Sequence, residues 1–316
     1  MQETIPQQGF LDVGQGHQIF YQIHGPDDGI PFVFLHGGPG SGFSQKRLAL
    51  FAGKPIRLIA CDQRGCGQST PTGISPENTT QNLIDDIEKL RQFLNIPQWF
   101  VCGNSWGSTL ALLYAIHYPQ SCLGLVLASL FLGRPQDQDW TFEAGPTLYP
   151  DLFNQVSDGL PTDISFERAI YERLLTGTPE EKYDAAYRFY MLGTPLCSLT
   201  PDYPTRDSIT DQSVTGATLL LYYAFKGFFI SDNFILDHAA ILKDLPIWLV
   251  HGKYDMDCRY EQALELQQIL PHIQLQIVDG AHVVTEEPMA STFNGIIADA
   301  VAYAFHHLGF KPPVSV

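Results

Sequence analysis

The apolar positions of this chain follow two rhythms that alternate, break off and then resume. Short apolar runs at 31–35, 56–61, 99–103 and 123–129 read as buried strands. Between them, helical spacing takes over. Leu83, Ile87, Leu90 and Leu94 share one face of a helix expected over 80–94, with Asp85, Glu88 and Lys89 elsewhere, and a second helix is expected over 106–118. Ahead of these, 9–24 carries two strand-like pieces around Gly14-Gln15-Gly16, the pattern of a hairpin. From about 130 to 234 the rhythm stops, and aromatics, prolines and short helical stretches replace clear strands. Alternation returns with a strand at 247–250, a helix at 259–270, a strand at 273–278 and a final helix at 289–307. Strand–helix alternation predicts an α/β fold, a mostly parallel central sheet with helices on both faces. The gap predicts an inserted helical cap at 131–236, so the core comprises 1–130 and 237–316.

Composition narrows the picture. The chain has 316 residues, 45% hydrophobic and 16% charged, which excludes a disordered chain. Its formal charge of −16 argues against nucleic acid as a partner, because phosphate binding rests on basic surface. No basic stretch followed by an apolar run opens the sequence, so no signal peptide is expected. No run approaches the roughly 20 apolar residues that span a bilayer. The six cysteines are scattered without metal-binding spacing, as expected of free thiols in a reducing cytoplasm. Exposed cap aromatics would serve either self-association or substrate entry, which leaves a homo-oligomer open.

The chemistry is concentrated at strand ends. Residues 103–107 read Gly-Asn-Ser-Trp-Gly, between an apolar run and a helix-like run. That context makes a nucleophile elbow, with Ser105 lifted out at a sharp turn and glycines where strand and helix backbones approach. A serine hydroxyl needs a base, and the base needs a group that holds its tautomer. His282, in Asp279-Gly280-Ala281-His282 beyond the last strand, is the candidate base. Asp255, after the strand at 247–250, is the candidate acid, with Asp257 its rival two residues on. His251 reads as structural. An oxyanion requires aimed backbone N–H groups. Trp106, which follows the nucleophile and opens a helix, is one candidate donor, and Gly38 in the glycine-rich loop 36–40 is the other. The segment Asp62-Gln63-Arg64-Gly65 reads as a structural turn in which an Asp–Arg pair braces the site.

Taken together, HGGPG at 36–40, DQRGCGQST at 62–70, NTTQNLIDDIEKLR at 78–91 and GNSWGSTLAL at 103–112 closely resemble the prolyl aminopeptidases, or proline iminopeptidases. VHGKYDMDC at 250–258 and DGAHVVTEEP at 279–288 resemble that family's acid and histidine loops. The resemblance implies the α/β-hydrolase fold, a Ser105–His282–Asp255 triad, and removal of N-terminal proline from a small peptide or amide through an acyl-enzyme without a cofactor. It implies an apolar pocket at Phe131, Trp140 and Tyr223. It also implies carboxylates for the substrate amine, and here the chain departs from the pattern. Met191 and Leu219 stand where the family's glutamates are expected, leaving Glu143, Glu167 or Glu172 to supply charge from elsewhere. That departure keeps a related ester or amide hydrolase as the alternative activity, and a binding protein on an inactive scaffold as a third.

Overall fold

The computed structural model of the protein describes residues 7–312. Eight strands form one sheet: β1 (Gln7–Gly14), β2 (His17–His24), β3 (Ile30–Leu35), β4 (Ile56–Cys61), β5 (Trp99–Ser105), β6 (Cys122–Leu130), β7 (Ile247–Gly252) and β8 (Gln274–Val278). Their spatial order is β1-β2-β4-β3-β5-β6-β7-β8. The hairpin β1–β2 and the β2–β4 pair are antiparallel, and every pair from β4 across to β8 is parallel.

Side chains alternate across a strand, and each central strand divides its apolar residues between two cores. Val33, Leu35, Trp99, Val101, Leu125, Leu127, Ile247 and Leu249 enter one cluster. Phe32, Phe34, Phe100, Cys102, Val126, Ala128, Trp248 and Val250 enter the other. Burial on both faces explains why these strands read as unbroken apolar runs. The first core is covered by α2 (Thr80–Phe93), α3 (Trp106–His117) and α10 (Glu261–Ile269). The second is covered by the four-residue α1 (Gln45–Leu48) and by α11 (Met289–His307). Helix α1 was not expected; Ser44 caps it by accepting from the Arg47 amide. Strands β5, β6 and β7 each run a residue or two beyond the apolar runs that mark them. The β5–β6 pairing, for instance, continues through Asn104 to Ser105.

Between β6 and β7 lie α4 (Pro135–Leu148), α5 (Pro150–Ser157), α6 (Phe166–Thr176), α7 (Pro179–Cys197), α8 (Asp211–Phe225) and α9 (Phe234–His238). Helices α5 to α8 gather around a third cluster that includes Val156, Ile170, Leu174, Ala185, Ala186 and Leu221. The last part of the segment belongs to the sheet, because Tyr223, Ala224, Phe228 and Ile235 pack into the first core. Among the described residues no single helix is long and apolar enough to cross a membrane.

Candidate active site

Strand β5 ends in a turn that places Ser105 at φ 56°, ψ −130°, a backbone conformation that a non-glycine residue adopts only under constraint. The constraint is packing. A Cβ at Gly103 would land on the Gly107 carbonyl oxygen, and a Cβ at Gly107 would land on that of Leu35. These two absences let α3 start directly against the ends of β3 and β5. Ser105 is partly exposed there, and its Oγ bonds to no described residue.

The loops after β7 and β8 bring Asp255 and His282 together. His282 Nδ1 lies 2.8 Å from Asp255 Oδ2. The other carboxylate oxygen of Asp255 accepts from the amides of Cys258 at 2.7 Å and Asp257 at 3.1 Å. The buried His251 has a defined tautomer. Its Nδ1 accepts from the Leu130 amide, so Nε2 carries the proton and donates to the Cys258 carbonyl at 2.7 Å, with Asp255 Oδ2 at 3.4 Å. Burial alone would raise the Asp255 carboxyl, but the imidazoles of His282 and His251 hold it below the usual carboxylate range. For His282, burial pulls down, and the carboxylates of Asp255 and Asp257 outweigh it and raise the imidazole. The two acids thus divide the ring. Asp255 takes Nδ1, and Asp257 Oδ2 stands 3.8 Å from Nε2. The backbone of His282 is also held, with its amide donating to the Cys197 carbonyl at the end of α7 and its carbonyl accepting from Ser129 Oγ.

The loop 36–40 lies against the elbow. Gly38 has φ +108°, which favours glycine, and its amide donates to no described residue. Trp106 opens α3, so its amide has no intrahelical acceptor. The bracing comes from Gln63, a residue that the sequence pattern does not single out. Gln63 Nε2 donates to the His36 carbonyl at 2.9 Å, while its Oε1 accepts from the Trp106 indole at 3.0 Å. Asp62 and Arg64 do not pair with each other as expected. Asp62 accepts from the amides of Phe43 and Gln68, and Arg64 forms a buried bidentate pair with Asp86 on α2. His36 is neutral, its imidazole pushed down to about 4 by burial.

A cavity of about 50 Å³ opens at Ser105 and Gly38, walled by Phe131, Phe142 and Phe228 with Asp257 and Cys258 also lining it. Thr141, Phe142, Leu220 and Asp257 also border a larger cavity of about 360 Å³ between the insertion and the loops that carry Asp257, Val283 and Glu286. Phe131 therefore lines the site as expected, whereas Trp140 and Tyr223 line neither cavity. The Trp140 indole donates to the Met256 carbonyl and stacks under Arg259 at 4.5 Å, so it supports the acid loop. Tyr223 is buried behind Trp106 with its hydroxyl on Asn78. Phe142, Phe228 and Leu220 were missed because nothing in their spacing separates pocket lining from packing. Leu219 packs against Gly40, and neither it nor Met191 borders either of these two cavities. Of the candidate glutamates, Glu167 borders the larger cavity and Glu143 and Glu172 border neither. Glu172 pairs with Arg168. The cysteines are all unpaired. Asp257, Cys258 and His282 hold one potential ligand atom each within 4.8 Å of one another, the one such trio among the described residues.

The family model for the alpha/beta hydrolase fold matches residues 30–163. A proline iminopeptidase of Arabidopsis thaliana is 37% identical over 286 residues, covering 88% of this chain and 75% of the relative. One from Neisseria gonorrhoeae is 34% identical over 297 residues, covering 92% and 95%. Among solved structures, the proline iminopeptidase of Mycobacterium smegmatis aligns with a TM-score of 0.60 at 20% identity, over 94% of this chain and 100% of that one. A proline iminopeptidase-related protein from Thermus thermophilus aligns at 0.62 and 19%, over 95% and 98%. The structural matches show the shared fold.

Proposed function

This chain belongs to the proline iminopeptidase family of α/β hydrolases, and we propose that it releases proline from the N-terminus of small peptides with Ser105 as nucleophile. The observation that carries the mechanism is the Asp255–His282 pair at 2.8 Å on the loops after β7 and β8, beside the cavity that holds Ser105. With Nδ1–H donated to Asp255, the lone pair of His282 is on Nε2, the atom a seryl proton must reach. No hydrogen bond joins Ser105 Oγ to Nε2, and substrate binding closes that gap.

Ser105 Oγ attacks the prolyl carbonyl carbon while Nε2 takes its proton. The oxyanion accepts from the amides of Gly38 and Trp106, and Asp255 stabilises the imidazolium. Collapse breaks the C–N bond, and His282 returns the proton to the leaving amine. Water then repeats the attack on the acyl-enzyme, and proline departs. Phe131, Phe142 and Phe228 would hold the ring, which suits the small volume beside Ser105. The six free thiols suit a reducing compartment such as the cytoplasm.

Met191 and Leu219 favour a second reading, hydrolysis of uncharged esters or amides, because neither position offers a carboxylate to a substrate amine. Turnover of a prolyl aryl-amide and its N-acetyl counterpart separates the two. The aminopeptidase reading expects cleavage of the free amine and at least tenfold slower cleavage of the acetylated form, about 1.4 kcal/mol of discrimination. Equal rates, or cleavage of the acetylated form alone, would establish the second reading.

A further inference from the structure

The Ser105 cavity is walled largely by apolar side chains, with Gln138, Thr141 and Asp257 as its polar lining beside Ser105. Among its lining residues Asp257 is the single ionisable carboxylate, and no lysine or arginine lines it. The Asp257 side chain is a quarter exposed and borders that space. Its hydrogen bonding within the chain is slight, a Cys258 thiol 3.8 Å away. The nearest cationic candidate is His282 Nε2, also at 3.8 Å. The carboxylate thus has acceptor capacity facing the place where a substrate would lie.

Covalent geometry says which substrate atom comes near it. In an α-amino acyl group the nitrogen is two bonds from the carbonyl carbon, about 2.5 Å away. A charge-assisted hydrogen bond adds about 2.8 Å. An amine anchor must therefore present an oxygen within roughly 5 Å of the carbon that Ser105 attacks. Among the carboxylates, Asp257 is the one that borders the same small cavity as Ser105, and its Oδ2 stands 3.8 Å from His282 Nε2, the nitrogen that must receive the seryl proton, so it is the candidate for that position. Glu167 and Glu286 border only the larger cavity beyond, and Ser198 Oγ bonds both oxygens of Glu286.

We propose that Asp257 anchors the cationic amine of the substrate, taking from the acid loop the role that Met191 and Leu219 cannot fill from the insertion. The proposal rests on the aminopeptidase function above. It assigns specificity for a protonated α-amine or pyrrolidine nitrogen to a residue two positions from the triad acid. Burial raises the Asp257 carboxyl above its ordinary range, so a bound cation would favour its ionised form.

The test compares Asp257→Asn, Asp257→Glu and Glu286→Gln with the unaltered enzyme on two probes, a prolyl aryl-amide and an aryl ester of an uncharged acid. Fluorophosphonate labelling of Ser105 checks that each variant is folded. The ratio of kcat/KM for the amine probe to that for the ester is expected to fall 30-fold or more in Asp257→Asn, about 2 kcal/mol. The loss should appear chiefly in KM, with partial recovery in Asp257→Glu. An unchanged ratio in Asp257→Asn, or a larger fall in Glu286→Gln, overturns the anchor and leaves the aminopeptidase reading standing. An unaltered enzyme that cleaves the ester and not the prolyl amide overturns both.

Discussion

The sheet and the insertion contribute to one cavity by different means. Ser105 ends β5, and Asp255 and His282 lie on the loops just after β7 and β8, where strand pairing, with burial on both faces of β5 and β7, leaves little freedom. Thr141, Phe142 and Leu220 come from α4 and α8, which pack around a cluster of the insertion's own. The two parts also meet directly at the loops that carry Asp255 and His282. Cys197 at the end of α7 accepts from the His282 and Val283 amides, and Leu196 accepts from that of Met256. Chemistry is thereby fixed by topology and specificity by packing, so the two should respond separately to substitution.

The largest effects should come from the sheet. Ser105→Ala is expected to reduce kcat for the prolyl amide by about 10⁴- to 10⁶-fold with thermal stability unchanged, as read by steady-state kinetics and melting. Gly107→Ala should cost about 3–5 kcal/mol or prevent soluble expression, because its Cβ would meet the Leu35 backbone. Wild-type stability in that variant would break the account of the elbow. Gln63→Ala leaves the His36 carbonyl and Trp106 indole without their partner, and should cost about 1–3 kcal/mol in denaturant melts. It should also lower kcat more than it raises KM.

The insertion supplies the contrasting case. Leu221 is fully buried in the third cluster, and Leu221→Ala should lose about 2–5 kcal/mol. It should raise KM for the prolyl amide while the rate of fluorophosphonate labelling stays within about twofold, below 0.5 kcal/mol. Slower labelling would show that the insertion also sets the geometry of the base.

The smallest effect concerns pH. The base must be neutral, and Asp255 and Asp257 raise His282 against burial and a weaker opposing field from Arg47. The acidic limb of kcat/KM should therefore have its midpoint above the ordinary histidine value of 6.5. The two contributions to stability run in opposite directions with pH. The contribution of His282 is fully present below 6.5 and is lost as pH rises through the raised folded value. That of Asp255 is present above 3.8 and is lost as pH falls toward its lowered value. Melting curves across the acid and neutral range would check both.

Much of the sheet half was legible in the residues. Double-sided burial made the central strands apolar throughout, and the glycines at 103 and 107 marked a place where strand and helix backbones touch. The Asp255 position followed from its distance to a strand end, and the structure gives it Nδ1 of His282. What spacing did not show was which side of a loop or helix each residue faces. Gln63 sits in a turn whose charged neighbours drew attention, yet it carries the bracing. Trp140 and Tyr223 are aromatic and near the site, but both spend their polar atoms on the scaffold. Asp257 read as a rival for one role because sequence distance cannot tell the two nitrogens of an imidazole apart.

Ser105, activated by His282, is the proposed nucleophile that releases proline. Titration with a fluorophosphonate, followed by peptide mapping and assay on the prolyl amide, tests it directly. Modification should be confined to Ser105, with residual activity falling in step with the fraction modified. Full activity in protein whose Ser105 is wholly modified would contradict it.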